Sequence, residues 1–206
     1  MNELLRASRL MPLITLRSEE SMEVVGEVIK RSKVKFIEVA YRSEYASEAI
    51  KKYSNLTDKI VGAGTVKNVA QAKIAVDNGA QFIVSPGLSA EVLEFGRDSG
   101  IPVYPGVLTP SEILYGMNKF DLSVFKVFPA NLLEGVRGIN ALSAPFYDAE
   151  FLPTGGVNTD NYLEYLSNKQ IIAVGGSFII NDGISQNEIE NEINKVNKLV
   201  ESAKNA

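Results

Sequence analysis

Eight short apolar, β-rich runs recur along the chain with helical patterns between them, and this alternation limits the possible folds more than any other feature. The runs are Leu10–Leu16, Lys35–Tyr41, Lys59–Ala63, Gln81–Ser85, Pro102–Tyr104, Val124–Phe128, Glu150–Pro153 and Ile171–Val174. They return roughly every 20–26 residues, a period that calls for a repeat architecture. A leucine-rich horseshoe has a similar period, but its Leu-x-x-Leu-x-Leu signature is absent. Strand followed by helix, repeated, demands a parallel sheet covered by helices.

The intervening segments have helical periodicity. Glu19–Lys30 carries Met22, Val25, Val28 and Ile29 on one side, and Val66–Asn78 carries Val69, Ala72, Ile74, Ala75 and Val76. Thr109-Pro110-Ser111-Glu112 reads as a helix start, with Thr109 as N-cap, Pro110 in the first turn and Glu112 closing a capping box. Asn187–Ala203 sets Ile189, Ile193, Val196 and Val200 on one stripe. Eight such units in 206 residues predict one α/β domain over residues 1–206, a (β/α)₈ TIM barrel. A doubly wound open sheet is the competing architecture. It more often has a Gly-rich turn after its first strand, and none follows Leu16.

Composition narrows the chemistry. The chain has no Cys and no His, which removes thiol nucleophiles, Ser-His-Asp triads and the common Cys- or His-ligated metal sites. Acid–base work falls to Asp, Glu, Lys, Tyr or water. The net charge of −4 gives no basic footprint for nucleic acid. Met1–Leu10 lacks the apolar core of a secretory signal, and the longest apolar stretch, Ile171–Ile180, is short for a membrane span and broken by Gly175, Gly176 and Ser177. A cytoplasmic protein without a membrane partner is expected.

A barrel of this kind places its active site at the C-terminal ends of the strands. Lys126 lies in Val124-Phe125-Lys126-Val127-Phe128, where every neighbour is apolar. Desolvation there lowers a lysine pKa and frees the amine as a nucleophile; the alternative is a buried stem whose ammonium snorkels to solvent. Glu38 lies in Phe36-Ile37-Glu38-Val39-Ala40, and alternation sets it on the face opposite Ile37 and Val39. Arg42 has the same parity as Glu38; it is either a site residue or an ordinary loop arginine. Glu38 belongs to the second run and Lys126 to the sixth, and residues on alternate barrel strands share interior layers. The two can therefore face one another, as a catalytic couple or as an ion pair that fills the interior.

Glycines supply the third element. Gly62-Ala63-Gly64-Thr65 ends the third run, Thr154-Gly155-Gly156-Val157 follows the seventh, and Gly175-Gly176-Ser177 follows the eighth. The last two lie where barrels commonly bind phosphate, through exposed N–H groups and a short helix N-terminus.

These residues also resemble a known family. Glu38-Val39-Ala40-Tyr41-Arg42, Val61-Gly62-Ala63-Gly64-Thr65-Val66, Ser85-Pro86-Gly87, Pro105-Gly106, Phe125-Lys126-Val127-Phe128-Pro129-Ala130, Pro153-Thr154-Gly155-Gly156-Val157 and Gly175-Gly176-Ser177 are similar, in order, to the bacterial 2-keto-3-deoxy-6-phosphogluconate (KDPG) / 4-hydroxy-2-oxoglutarate (KHG) aldolases. The resemblance implies a class I aldolase with no metal and no cofactor, typically a homotrimer, acting on a 2-keto acid or phosphosugar. By the same resemblance Lys126 is the Schiff-base lysine and Glu38 the acid–base carboxylate. Arg42 and Thr65 would hold the pyruvate carboxylate, Pro86 and Phe128 the pocket wall, and Thr154, Gly155, Gly156, Gly176 and Ser177 the phosphate end. Two positions depart from the commonest pattern: Ala40-Tyr41 stands where Thr-Leu is frequent, and Asn131 where an acidic residue is common. Rival readings are an aldolase for KHG or the galactonate epimer, a phosphosugar isomerase or epimerase, and a non-catalytic phosphosugar-binding barrel.

Overall fold

In the computed structural model, which describes residues 1–206, every strand pairing is parallel. Strands β1 (Leu10–Ile14), β2 (Phe36–Ala40), β3 (Ile60–Gly64), β4 (Ile83–Val84) and β5 (Val103–Tyr104) lie side by side in chain order. A second ladder joins β6 (Gly106–Val107), β7 (Val124–Val127) and β8 (Glu150–Pro153). The last strand, β9 (Val174–Gly176), pairs with β1. Parallel bridges Phe151–Ile171 and Thr154–Gly175 connect β8 to the stretch containing β9. The architecture is an α/β fold whose parallel sheet curls on itself.

The fifth run, Pro102–Tyr104, holds β5 alone, and a further strand not expected from the sequence, β6, follows it. Only Pro105 separates them, and having no N–H it cannot donate to the ladder; its carbonyl still accepts from the Lys126 N–H at 2.9 Å. The eighth run is displaced as well. Strand was expected over Ile171–Val174, yet Ile171 forms a lone bridge and pairing runs over Val174–Gly176. Gly175 and Gly176 are thus strand residues rather than a turn. A Cβ at Gly175 would lie 2.7 Å from Thr154 Oγ1, so only glycine lets β9 pass this close to that side chain.

The helices are α1 (Asn2–Ser8), α2 (Glu19–Arg31), α3 (Ala46–Tyr53), α4 (Val69–Asp77), α5 (Ala90–Ser99), α6 (Pro110–Phe120), α7 (Val136–Ser143), α8 (Tyr162–Leu166) and α9 (Ile189–Lys204). The capping box before α6 forms as expected: Thr109 Oγ1 accepts the Glu112 N–H, and Glu112 Oε2 accepts the Thr109 N–H at 2.9 Å. The α9 stripe of Ile189, Ile193, Val196 and Val200 is buried. Ile74, expected on the inner side of its helix, is half exposed, because α4 starts only after the Asn68 cap and buries Ala72 and Ala75 instead. No helix is long and apolar enough to cross a membrane.

Side-chain alternation separates two cores. Ile37 and Val39 belong to the large cluster between sheet and helices. Phe36, on the other face of β2, joins Met11, Phe82, Tyr104, Val124 and Leu152 inside the curl. Helix α1 was not foreseen; one apolar turn beside Asn, Glu and Arg is too short to register as periodic. It drives Leu5, fully buried, into the inner cluster and covers the N-terminal end of the strands. Leu5→Ala is expected to lower unfolding free energy by about 2–5 kcal/mol, the usual cost of a buried leucine truncation. Urea denaturation would check this, and a cost near zero would mean that α1 does not hold the inner core.

Candidate active site

Lys126 lies inside the apolar strand β7, and Val124, Phe125 and Val127 are as deeply buried as it is. Its side chain is only 3% exposed, so the ammonium does not snorkel to bulk solvent. Glu38 is fully buried on β2, and Lys126 Nζ stands 3.5 Å from its Oε1. Lys126 Nζ also lies 5.0 Å from the centre of the Phe128 ring. The opposed arrangement expected from the alternation is what the fold contains.

Two features leave this pair open to chemistry. Neither oxygen of Glu38 has a hydrogen-bond partner, so its lone pairs are free for a third group. The carboxylate also occupies space that a side chain at position 64 would take: a Cβ at Gly64 would lie 2.2 Å from Oε1 and 2.5 Å from Cγ of Glu38. Gly64 stands opposite Ala40 on the neighbouring strand, one alternation beyond Glu38. Its glycine is required by room, not by a turn. Gly106, paired with Lys126, is similar: a Cβ there would meet the Pro86 carbonyl oxygen at 2.2 Å.

A cleft adjoins the pair through Phe128, whose ring faces Lys126, and Leu13, which pairs with Glu38 across the sheet; Lys126 and Glu38 themselves are not part of its lining. Its larger lobe, about 610 Å³, is bounded by Leu13, Thr15, Arg17, Arg42, Ser43, Ser177 and Asp182. A smaller lobe of about 130 Å³ shares Leu13, Arg42 and Ser177 and adds Phe128, Thr154, Gly155, Gly156 and Gly176. Thr65 meets this group through Arg42, whose Nε donates to Thr65 Oγ1 at 3.1 Å. Thr65 has φ 59°, a left-handed conformation that costs a β-branched residue energy and recurs at ligand sites. Pro86 lies outside both lobes, packed against Gly106 beside Lys126.

The rim is built to meet anions. Gly155 and Gly156 have φ of 87° and 82°, the left-handed region that glycine tolerates. The backbone N–H groups of Gly155, Gly156 and Ser177 donate to no acceptor in the protein. The chain is held there from behind, where the Ala130 and Asn131 N–H groups donate to the Thr154 and Gly155 carbonyls at 2.9 and 3.1 Å. One expectation fails: no helix N-terminus points into this rim. The chain turns at Ser177–Phe178 because Phe178 folds back against Gly176 and Tyr162, and α8 begins only at Tyr162. The fixed positive charge of the cleft comes from Arg17 and Arg42.

Sequence reasoning missed Leu13, Thr15, Arg17, Ser43 and Asp182. Arg17 follows β1 much as Arg42 follows β2, so its position was a usable signal. Asp182 carried none; the fold brings its Oδ2 to the Thr15 N–H at 2.8 Å. No three His, Cys, Asp or Glu side chains converge anywhere as a metal-ligand set.

A nucleophilic amine beside a carboxylate, under a rim of free N–H donors and guanidinium, suits a substrate with a carbonyl centre and anionic ends. The family model described as KDPG and KHG aldolase matches residues 1–197. A Dickeya dadantii protein named 2-dehydro-3-deoxy-phosphogluconate aldolase is 37% identical over 179 residues, 86% of this chain and 84% of its own length. An Escherichia coli protein named KHG/KDPG aldolase is 34% identical over 203 residues, 98% of this chain and 95% of its own. The crystal structure of KDPG aldolase from Legionella pneumophila, with pyruvate captured at low pH as a covalent carbinolamine intermediate, superimposes with a TM-score of 0.82 at 32% identity, covering 99% of this chain and 96% of that one.

The contact between Gly64 and Glu38 yields a double-mutant cycle. Gly64→Ala should cost about 1–3 kcal/mol of stability, as overpacking does. The same change in a Glu38→Ala background should cost much less, because the clashing carboxylate is gone. Equal costs in both backgrounds, measured by urea unfolding, would show that Gly64 does not make room for Glu38.

Proposed function

The chain belongs to the KDPG and KHG aldolase family, and on that premise we propose that it is a class I aldolase, a carbon–carbon lyase that cleaves KDPG to pyruvate and glyceraldehyde 3-phosphate through a Schiff base on Lys126. The observation that carries this reading is the buried Lys126–Glu38 pair, 3.5 Å apart beside a cleft whose lining includes Arg42 and the Gly155, Gly156 and Ser177 backbone. The amine adds to the C2 carbonyl of the substrate, and loss of water from the carbinolamine gives an iminium. Glu38 takes the proton of the C4 hydroxyl. The C3–C4 bond then breaks, its electrons pass into the iminium to form an enamine, and the aldehyde leaves. Protonation of the enamine and hydrolysis release pyruvate and restore the amine. The iminium is the electron sink that a metal provides in the other class of aldolase.

Arg42 and Thr65 are assigned to the substrate carboxylate, and Phe128, with Pro86 behind it, to the wall beside the imine. Thr154, Gly155, Gly156, Gly176 and Ser177 are assigned to the phosphate, the free N–H groups of this rim being the supporting observation. The E. coli relative's name keeps 4-hydroxy-2-oxoglutarate as a second substrate. We further read residues 1–206 as one (β/α)₈ barrel, supported by the short Pro105 interruption and the two bridges beside β9. The family resemblance supports a homotrimer working in the cytoplasm.

Incubation with pyruvate followed by borohydride should add the reduced pyruvate mass to Lys126 alone. An adduct on another lysine, with Lys126 unmodified, would refute the mechanism.

Phosphorylated KDPG should have a far higher kcat/KM than its dephosphorylated analogue, because remote binding energy orients the reacting bond. Gly176→Val should narrow that gap while pyruvate trapping persists. Equal efficiency of the wild type on both substrates would refute the phosphate assignment and favour 4-hydroxy-2-oxoglutarate.

A further inference from the structure

A second cavity, of about 480 Å³, lies away from the cleft, between α1, the end of α9 and the chain leading into β2 and β3. Its size falls in the range of small-molecule sites. The apolar part of its lining is made by Leu4, Phe36, Ile60 and Val200, contributed by four separate elements. Around them stand four lysines, Lys33, Lys35, Lys59 and Lys204, and a single acid, Asp58. Such a concentration of ammonium groups is notable in a chain whose net charge is −4.

The charges are incompletely matched. Asp58 is taken by Lys35, with Nζ 2.5 Å from its Oδ2, and Lys33 pairs with Glu201. Lys204 makes no ion pair. Lys59 is the unusual member, with a side chain only 2% exposed. Its Nζ donates to the carbonyls of Ser32 and Val34 at 2.8 and 3.0 Å, and its closest carboxylate oxygen is 4.0 Å away on Asp58. An ammonium has three donors, and the third has no partner in the protein. Burial holds the Lys59 pKa below its ordinary value. A buried cation with an unused donor, beside an apolar floor, is an unsatisfied arrangement unless something negative joins it.

We propose that this cavity binds an amphipathic carboxylate, its apolar chain on Leu4, Phe36, Ile60 and Val200 and its carboxylate among Lys59, Lys35 and Lys204. A simple inorganic anion would leave the apolar floor uncovered, and a neutral lipid would leave the lysines unmatched. The site is independent of the aldolase reading: it shares no lining residue with the cleft.

Titration calorimetry with octanoate tests it, with 1-octanol and inorganic phosphate as controls. One octanoate should bind per chain, and octanol and phosphate should each bind about tenfold or more weakly, a difference of about 1.4 kcal/mol. The double variant Lys35→Gln/Lys204→Gln removes two exposed charges and should weaken octanoate by about tenfold or more while the protein remains folded at the assay temperature. Ala7→Trp, at an exposed lining position, fills the apolar space and should abolish binding. In both variants pyruvate trapping should be unchanged. Absence of saturable octanoate binding would overturn the proposal, as would equal binding of octanol or phosphate, or octanoate binding indifferent to both variants.

Discussion

A lysine and a glutamate that share a desolvated interior govern how this protein is built. Each alone would be costly to bury; together they compensate in charge, although the pair is not closed off by further hydrogen bonds. Removing one partner from such a pair typically costs about 3–5 kcal/mol, because the other charge is left stranded. The surrounding fold respects that constraint. Val124, Phe82, Phe36 and Leu152 fill the interior on the same face as the pair, and the cleft adjoins it at Phe128 and Leu13.

Much of the fitting is done by what is missing. Gly64 leaves the volume that the Glu38 carboxylate fills, Gly106 lets the strand beside Lys126 lie against the Pro86 carbonyl, and Gly175 lets β9 pass Thr154. Gly155 and Gly156 are needed instead for backbone conformation, and these two present free N–H groups at the rim. The same residue type therefore does two jobs, clearance inside the sheet and left-handed backbone at its end, and the first is invisible to turn-based reading of a sequence.

The two ends of the strands are physically unlike. At the C-terminal end the loops leave donors unspent and Thr65 in a strained conformation, as a site poised for ligand does. At the other end α1 inserts Leu5 into the inner core, and the basic cavity lies beside that seal. Stability and chemistry are thus segregated along the strand axis, the division familiar in parallel barrels.

The alternation of apolar runs and helical patterns determined the order and kind of elements, since strand and helix periods are local properties of the chain. Parity along Phe36–Ala40 determined that Glu38 faces away from Ile37 and Val39, and the apolar setting of Lys126 determined its burial. The motifs around both residues identified the family. Tertiary structure decided the rest. The 3.5 Å approach of Lys126 to Glu38 depends on how far the sheet curls, which pairing between strands distant in sequence controls. Whether Gly175–Gly176 was turn or strand depended on Thr154 and Met11 across the sheet. The position of Asp182 beside Thr15 depended on the fold closing a sequence separation of 167, and α1 is a helix held by its Leu5 contact more than by its own propensity. A local pattern can specify which way a side chain points, but distances between side chains are set by packing, and packing exists only once the whole chain is in place.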